Sequence, residues 1–100
     1  MELRIIRHEG SDSGSALQLE GRVVAVWAAL LESECTELLQ SHDEVSLDLA
    51  DVSFIDRYGV EVFQRLSQAG AEILCTSGPV ASVLERAGVR VTLDVNDGRL

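Results

Sequence analysis

At 100 residues the chain is long enough for one modest core and too short for two, so a single domain spanning 1–100 is expected. Its 46% hydrophobic and 25% charged residues make an ordinary globular mixture. The net charge of −9 sets it against nucleic-acid phosphate and anionic lipid, which removes both as expected partners and favours a basic protein surface.

Chain order then gives the elements. Leu3, Ile5 and His8 alternate loosely with polar residues and predict a first strand, closed by a turn or short loop over 10–15. Residues 16–21 alternate cleanly, with Leu17 and Leu19 inward and Gln18 and Glu20 outward, so an antiparallel hairpin should open the sheet. From 26 to 40 the period lengthens: Trp27, Leu31, Cys35 and Leu38 make the apolar stripe of a helix, widened by Leu30 and Leu39. Val45, Leu47 and Leu49 predict a third strand running on towards Val52 and Phe54. A second helix comes next over 56–68 with Val60, Val62, Phe63 and Leu66 as its apolar residues, closing at Gly70. Residues 71–75 predict a fourth strand. Pro79 then sits in the first turn of a third helix capped by Ser77 or Gly78, with Val80, Val83, Leu84 and Ala87 inward and Gly88 as its stop. Val89, Val91, Leu93 and Val95 alternate as a last strand, and 97–100 should fray.

No apolar run approaches the roughly 20 residues that span a bilayer. The start M-E-L-R-I-I-R-H-E lacks the basic-then-apolar pattern of a secretory signal, so a cytoplasmic location is expected. Cys35 and Cys75 lie far apart in apolar patterns, as buried free thiols do. His8 and His42 have no cysteine, histidine or carboxylate at ligand spacing, so no metal is expected. There is no P-loop, GxGxxG or G-x-S-x-G either, and no cofactor is expected.

The informative stretch is S-F-I-D-R-Y-G-V-E-V-F at 53–63, where a strand turns straight into a helix. Asp56 is placed to cap that helix, worth on the order of 1 kcal/mol. Gly59 in a first turn costs about 1 kcal/mol relative to Ala, so close approach of the helix to the sheet, or of a partner to the helix, should explain it. Arg57 and Tyr58 are residue types enriched at binding hot spots.

Three stretches resemble the STAS domain family, which includes the bacterial anti-sigma factor antagonists: L-Q-L-E-G-R-V at 17–23, V-S-L-D-L-A-D-V-S-F-I-D at 45–56, and S-G-P-V at 77–80 with Leu84 and Gly88. Together they cover nearly the whole chain, and the central one is the most specific. The resemblance implies an α/β fold in the order β-β-α-β-α-β-α-β: a mixed sheet of four to five strands with helices packed mainly on one face. In phosphorylatable members an Asp precedes two small residues, commonly Ser-Ser or Ser-Thr, and then Gly-Leu. One of those hydroxyls accepts phosphate from a kinase that is itself an anti-sigma factor. Asp56 and Gly59 match that motif, but Arg57 and Tyr58 occupy the hydroxyl positions. The implied role is a contact surface of Asp56, Arg57, Tyr58, Gly59 and Val60 for a kinase-like or scaffold protein, without the usual Ser/Thr switch. Tyr58 and Ser53 are the hydroxyls left nearby.

Two other functions compete with it. The resemblance also fits an accessory STAS subunit that regulates the ATPase of an ABC-type transporter. An enzyme using the acidic loop 48–56, with Asp48, Asp51 and Asp56, is the reading from another class. A phosphoacceptor receiver domain would need a Lys at the phosphoryl group, and all eight basic residues here are Arg.

Overall fold

The predicted changes of period mark the succession of elements. The computed structural model describes residues 3–9, 14–75 and 78–93. They form β1 (Leu3–Glu9), β2 (Gly14–Val23), α1 (Ala25–Ser41), β3 (Glu44–Ile55), α2 (Arg57–Gln68), β4 (Glu72–Cys75), α3 (Pro79–Arg86) and β5 (Val91–Leu93). The expected element order holds. The five strands lie in one sheet in the order β1-β2-β3-β4-β5, with β1 antiparallel to β2 and every later pair parallel. A parallel neighbour needs a crossover, and α1, α2 and α3 supply one each.

Strand alternation decides which face is covered. Leu17, Leu19 and Val23 of β2, Val45, Leu47 and Leu49 of β3, and Ile73 and Cys75 of β4 are buried in one core. Ala28, Leu31, Cys35 and Leu38 of α1, Val62, Phe63 and Leu66 of α2, and Ala81 and Leu84 of α3 complete it. Burying each large side chain of this set stabilises by about 1.5–3 kcal/mol. The intervening strand residues Gln18, Glu20, Ser46, Asp48 and Glu72 are half-buried or exposed, so the helices cover one face. On the other face His8 bonds Gln18 at 3.0 Å, Arg4 pairs with Glu20 at 3.8 Å, and Thr92 Oγ1 donates to Glu72 at 3.3 Å.

Four details differ from the sequence expectation. Gly14 and Ser15 belong to β2, paired with Glu44 and Val45 of β3, rather than to the hairpin loop. Val83 is exposed, because the buried stripe of α3 runs through Ala81 and Leu84. Leu30 is exposed and Trp27 half-buried: with Leu3, Ile5 and Leu17 they line an open groove of about 310 Å³ between α1 and the edge strand β1. Val89, expected in the last strand, is buried ahead of it, and β5 begins at Val91. Ser77, Val95 and 97–100 lie outside the described residues.

Both cysteines are free and buried. Burial pushes each thiol up to about 11, and at Cys75 the carboxylates of Glu85 and Asp48 add to the effect. A thiol that stays protonated and buried is a poor nucleophile. Native protein titrated with an aromatic disulfide reagent in mildly alkaline buffer should therefore show no fast thiol, and both should react after unfolding in urea. A fast native thiol would mean that the core opens on the reagent's timescale.

The two longest helices are braced on their outer side. Arg65 of α2 donates from Nε to Glu32 Oε2 at 2.6 Å and from Nη2 to Glu32 Oε1 at 3.0 Å, a bidentate pair with α1. The hydrogen bonds to Arg65 hold the Glu32 carboxyl below its usual range, although partial burial works against the shift. A carboxyl lowered by folding adds stability that is complete above its unfolded value and is lost as pH falls through its folded value. Both side chains are partly solvated, so the contribution is small. Glu32→Gln should be less stable than wild type in urea unfolding at neutral pH. The gap should close on acidification below the unfolded carboxylate's value of about 4.3. A gap that persists unchanged into acid would assign the contact to packing instead.

Candidate functional site at the start of the second helix

The carboxyl ends of β2 and β3 lie side by side, and α1 and α2 begin there. Over this stretch Gln18 pairs with Asp48 but Glu20 with Asp51, and Gly21 with Val52 but Arg22 with Phe54. Strand β3 therefore carries extra residues at two bulges, and bulges re-aim side chains. Val52 and Ile55 stay buried while Ser53 and Phe54 turn to solvent. Gly21 sits between the two shifts at φ +106°, a conformation that disfavours any residue with a Cβ. Ser53 Oγ donates to the Gly21 carbonyl at 3.2 Å and ties the bulged strands together.

Asp56 joins the starts of both helices. Its Oδ1 accepts from the Gly59 N–H at 2.9 Å, the expected cap of α2. Its Oδ2 accepts from the Ala25 N–H at 3.0 Å, the first residue of α1. Helix α1 starts from Val24, which has no side chain able to cap, so a carboxylate from the β3–α2 junction does the work. The Asp56 N–H donates in turn to the Val23 carbonyl at 3.2 Å. One side chain thus fixes two helix starts, and it holds Ala25 at φ +46°, where a non-glycine residue costs on the order of 1 kcal/mol.

Gly59 explains how closely this corner packs. A Cβ there would lie 2.5 Å from the Val23 carbonyl oxygen and 2.7 Å from Ile55 Cγ2. The glycine lets α2 approach the sheet. It is buried, so the expectation that Gly59 forms part of the contact surface is corrected: it shapes that surface from beneath. Asp56 is half-buried, and Val60 packs partly against the core. Arg57 and Tyr58 do face solvent, Tyr58 at 56% exposure, with the Arg57 guanidinium 5.8 Å from the ring centroid.

Three residues at this corner escaped the sequence reading. Phe54 is 48% exposed and carries the Arg22 guanidinium 5.4 Å from its centroid. Val26, next to the Ala25–Asp56 bond, is 71% exposed. The signal for Phe54 was present in the apolar spacing. Leu47, Leu49, Val52 and Ile55 step by two, three and three, which marks two bulges and leaves Phe54 out of phase with the core.

The acidic loop reads differently in three dimensions. Asp48 Oδ1 accepts from the Ala50 N–H at 3.0 Å, Asp51 is exposed opposite Glu20, and Asp56 is engaged at both oxygens. Among the described residues no three His, Cys, Asp or Glu side chains are grouped to hold a metal ion. No helix among them is long and apolar enough to cross a membrane.

The STAS domain family model matches residues 6–96. The chain belongs to the STAS domain family. This STAS domain is similar in fold to an anti-sigma factor antagonist from Mycobacterium paratuberculosis, with 15% identity, a TM-score of 0.79, and coverage of 92% of this chain and 85% of that one. It is also similar to the anti-sigma factor antagonist SpoIIAA in its unphosphorylated form, with 14% identity, a TM-score of 0.75, and coverage of 93% and 90%. A comparison with curated protein sequences finds no match.

Proposed function

We propose that this STAS domain is a protein–protein interaction module of the anti-sigma factor antagonist type, docking a kinase-like or scaffold partner at the start of α2. Asp56 and Gly59 set the shape, and Arg57, Tyr58 and the exposed part of Val60 make contact. One observation carries the reading. Of the five large hydrophobic side chains that stand exposed among the described residues, Val26, Phe54 and Tyr58 gather around the Asp56 clamp. Isolated exposed apolar groups are ordinary, but aromatic and Arg side chains grouped on a rigid corner are what interfaces use as anchors. Arg57 and Tyr58 replace the Ser/Thr acceptors of the family motif, and the Ser53 hydroxyl is already donated to Gly21. Docking is therefore not switched by Ser/Thr phosphorylation at 57 and 58, and the domain breaks no covalent bond there.

A photo-crosslinking amino acid at position 58, with a control at exposed Thr92, tests this in the native cell. Crosslinks from 58 to a kinase-like or scaffold regulator are expected. An ABC-type ATPase crosslinked from 58 would move the domain to the transporter-accessory role. Crosslinks from 92 alone would overturn the site.

A further inference from the structure

At the far end of the sheet from the docking corner, β2, β3 and β4 begin at Gly14, Glu44 and Glu72. Helices α1 and α2 end on the same side, at Ser41 and Gln68. An open depression of about 320 Å³ lies there, lined by Ser15, Asp43, Glu44, Ser46, Gly70 and Glu72.

Its rim is acidic. Asp43, Glu44 and Glu72 are exposed, and none of them takes part in an ion pair among the described residues. A Cβ built on Gly14 would lie 4.0 Å from Glu44 Oε1, so that carboxylate folds back over the start of β2, next to Ser15. Glu72 accepts from Thr92 Oγ1 and keeps its charge. No basic side chain stands among the described residues that line the depression. Arg90 lines a neighbouring depression that also reaches Glu72, and Arg7 lines the groove beside α1. His42 adjoins Asp43 in sequence, with its ring against Ser41 Oγ and the Leu38 carbonyl. Even with Arg90 and a charged His42 set against them, the three carboxylates leave a negative balance. The carboxyl ends of α1 and α2 add potential of the same sign.

The lining also holds an unanswered polar group. Ser15 is 6% exposed, and its Oγ is buried with no hydrogen-bond partner among the described residues. A hydroxyl buried in this way has given up water and received nothing, and both its lone pairs can still accept. Carboxylates on the rim and an orphaned acceptor beneath them call for an occupant rich in N–H donors. A metal ion needs its ligands converged on one point, and no three carboxylates among the described residues are grouped in that way. A guanidinium differs, because its N–H groups leave the plane of the cation along several edges. One edge can meet a carboxylate while another reaches a hydroxyl, and its weak hydration lowers the cost of leaving water.

We propose that this depression binds a guanidinium cation, whose edges pair with the carboxylates of Glu44 and Glu72 while one N–H donates to Ser15 Oγ. The site is separate from the docking corner and does not depend on it.

Three probes test this on isotope-labelled full-length protein by amide NMR: agmatine, acetyl-Gly-Arg-Gly-amide, and the same peptide with neutral citrulline in place of arginine. Saturable shifts at Ser15, Glu44, Ser46 and Glu72 are expected with a guanidinium probe and none with citrulline, with affinity falling as salt rises. Tighter binding of agmatine assigns the site to a free small cation, and tighter binding of the arginine peptide assigns it to an arginine of another protein. Glu44→Gln, at an exposed position, should weaken binding about threefold to fivefold. Ser15→Ala should weaken it about fivefold, the worth of one hydrogen bond, yet leave Tm unchanged or raised because the orphaned hydroxyl is gone. A lowered Tm for Ser15→Ala would show that hydroxyl bonded within the native fold and would overturn the proposal. No saturable shift with either guanidinium probe, equal shifts with the citrulline peptide, or wild-type binding by both variants overturns it as well.

Discussion

Replacing Gly59 by alanine is expected to lower unfolding free energy by about 2–3 kcal/mol, against the usual direction for a helix. A helical glycine replaced by alanine normally gains about 1 kcal/mol. Here the added methyl would lie 2.5 Å from the Val23 carbonyl oxygen and 2.7 Å from Ile55 Cγ2. Overpacking of this kind costs about 1–3 kcal/mol, and more where the opposing atom cannot retreat. The Val23 oxygen is held by the Asp56 N–H at 3.2 Å, so α2 must lift from the sheet instead. For a domain of this size the loss corresponds to a fall of about 15 °C in Tm. Urea and thermal unfolding of Gly59→Ala measure it, and an unchanged or raised midpoint would show that α2 does not depend on this close approach.

Asp56→Ala should cost about 2 kcal/mol and loosen a helix that is remote in sequence. Two backbone N–H groups lose their acceptor together, and each cap bond of this kind is worth about 1 kcal/mol. Asp56→Asn should recover about half, because an amide has one oxygen to accept with and its NH₂ would face the second donor. The distinctive result lies in α1. The Ala25 N–H is bonded across 31 positions of sequence, so amide exchange at the start of α1 should quicken when Asp56 is truncated. A loss of stability with exchange near Ala25 unchanged would reduce Asp56 to an ordinary cap of α2.

These two variants also separate the patch from its support. Tyr58 and Arg57 gain a defined position because the turn beneath them is fixed by Asp56 and Gly59. Loosening that support should weaken docking without removing a single contacting side chain. Interfaces keep affinity when their anchors are ordered before binding.

Periodicity made most of the fold legible in the sequence. The alternation Leu17-Gln18-Leu19-Glu20 and the stripe Leu31, Cys35, Leu38 marked a strand and a helix, because burial on one face leaves a regular trace. Asp56 as a cap of α2 was likewise local, three residues from Gly59. Its second bond, to Ala25, was not, because it joins segments brought together only by parallel pairing of β2 and β3. The uncapped start V-V-A-V at 23–26 did leave an unanswered question, namely which group accepts its N–H. Val83 was misplaced because a helix as short as α3 fits more than one stripe.

The central claim is that partners dock on the corner formed by the ends of β2 and β3 and the start of α2. Hydrogen-exchange mass spectrometry of the domain alone and bound to the regulator captured from position 58 tests it most directly. Protection confined to residues 22–26 and 54–60 is the predicted result. Protection over α3 or the helix-free face at 16–20, 46–50 and 72–74, with the corner unchanged, would contradict it.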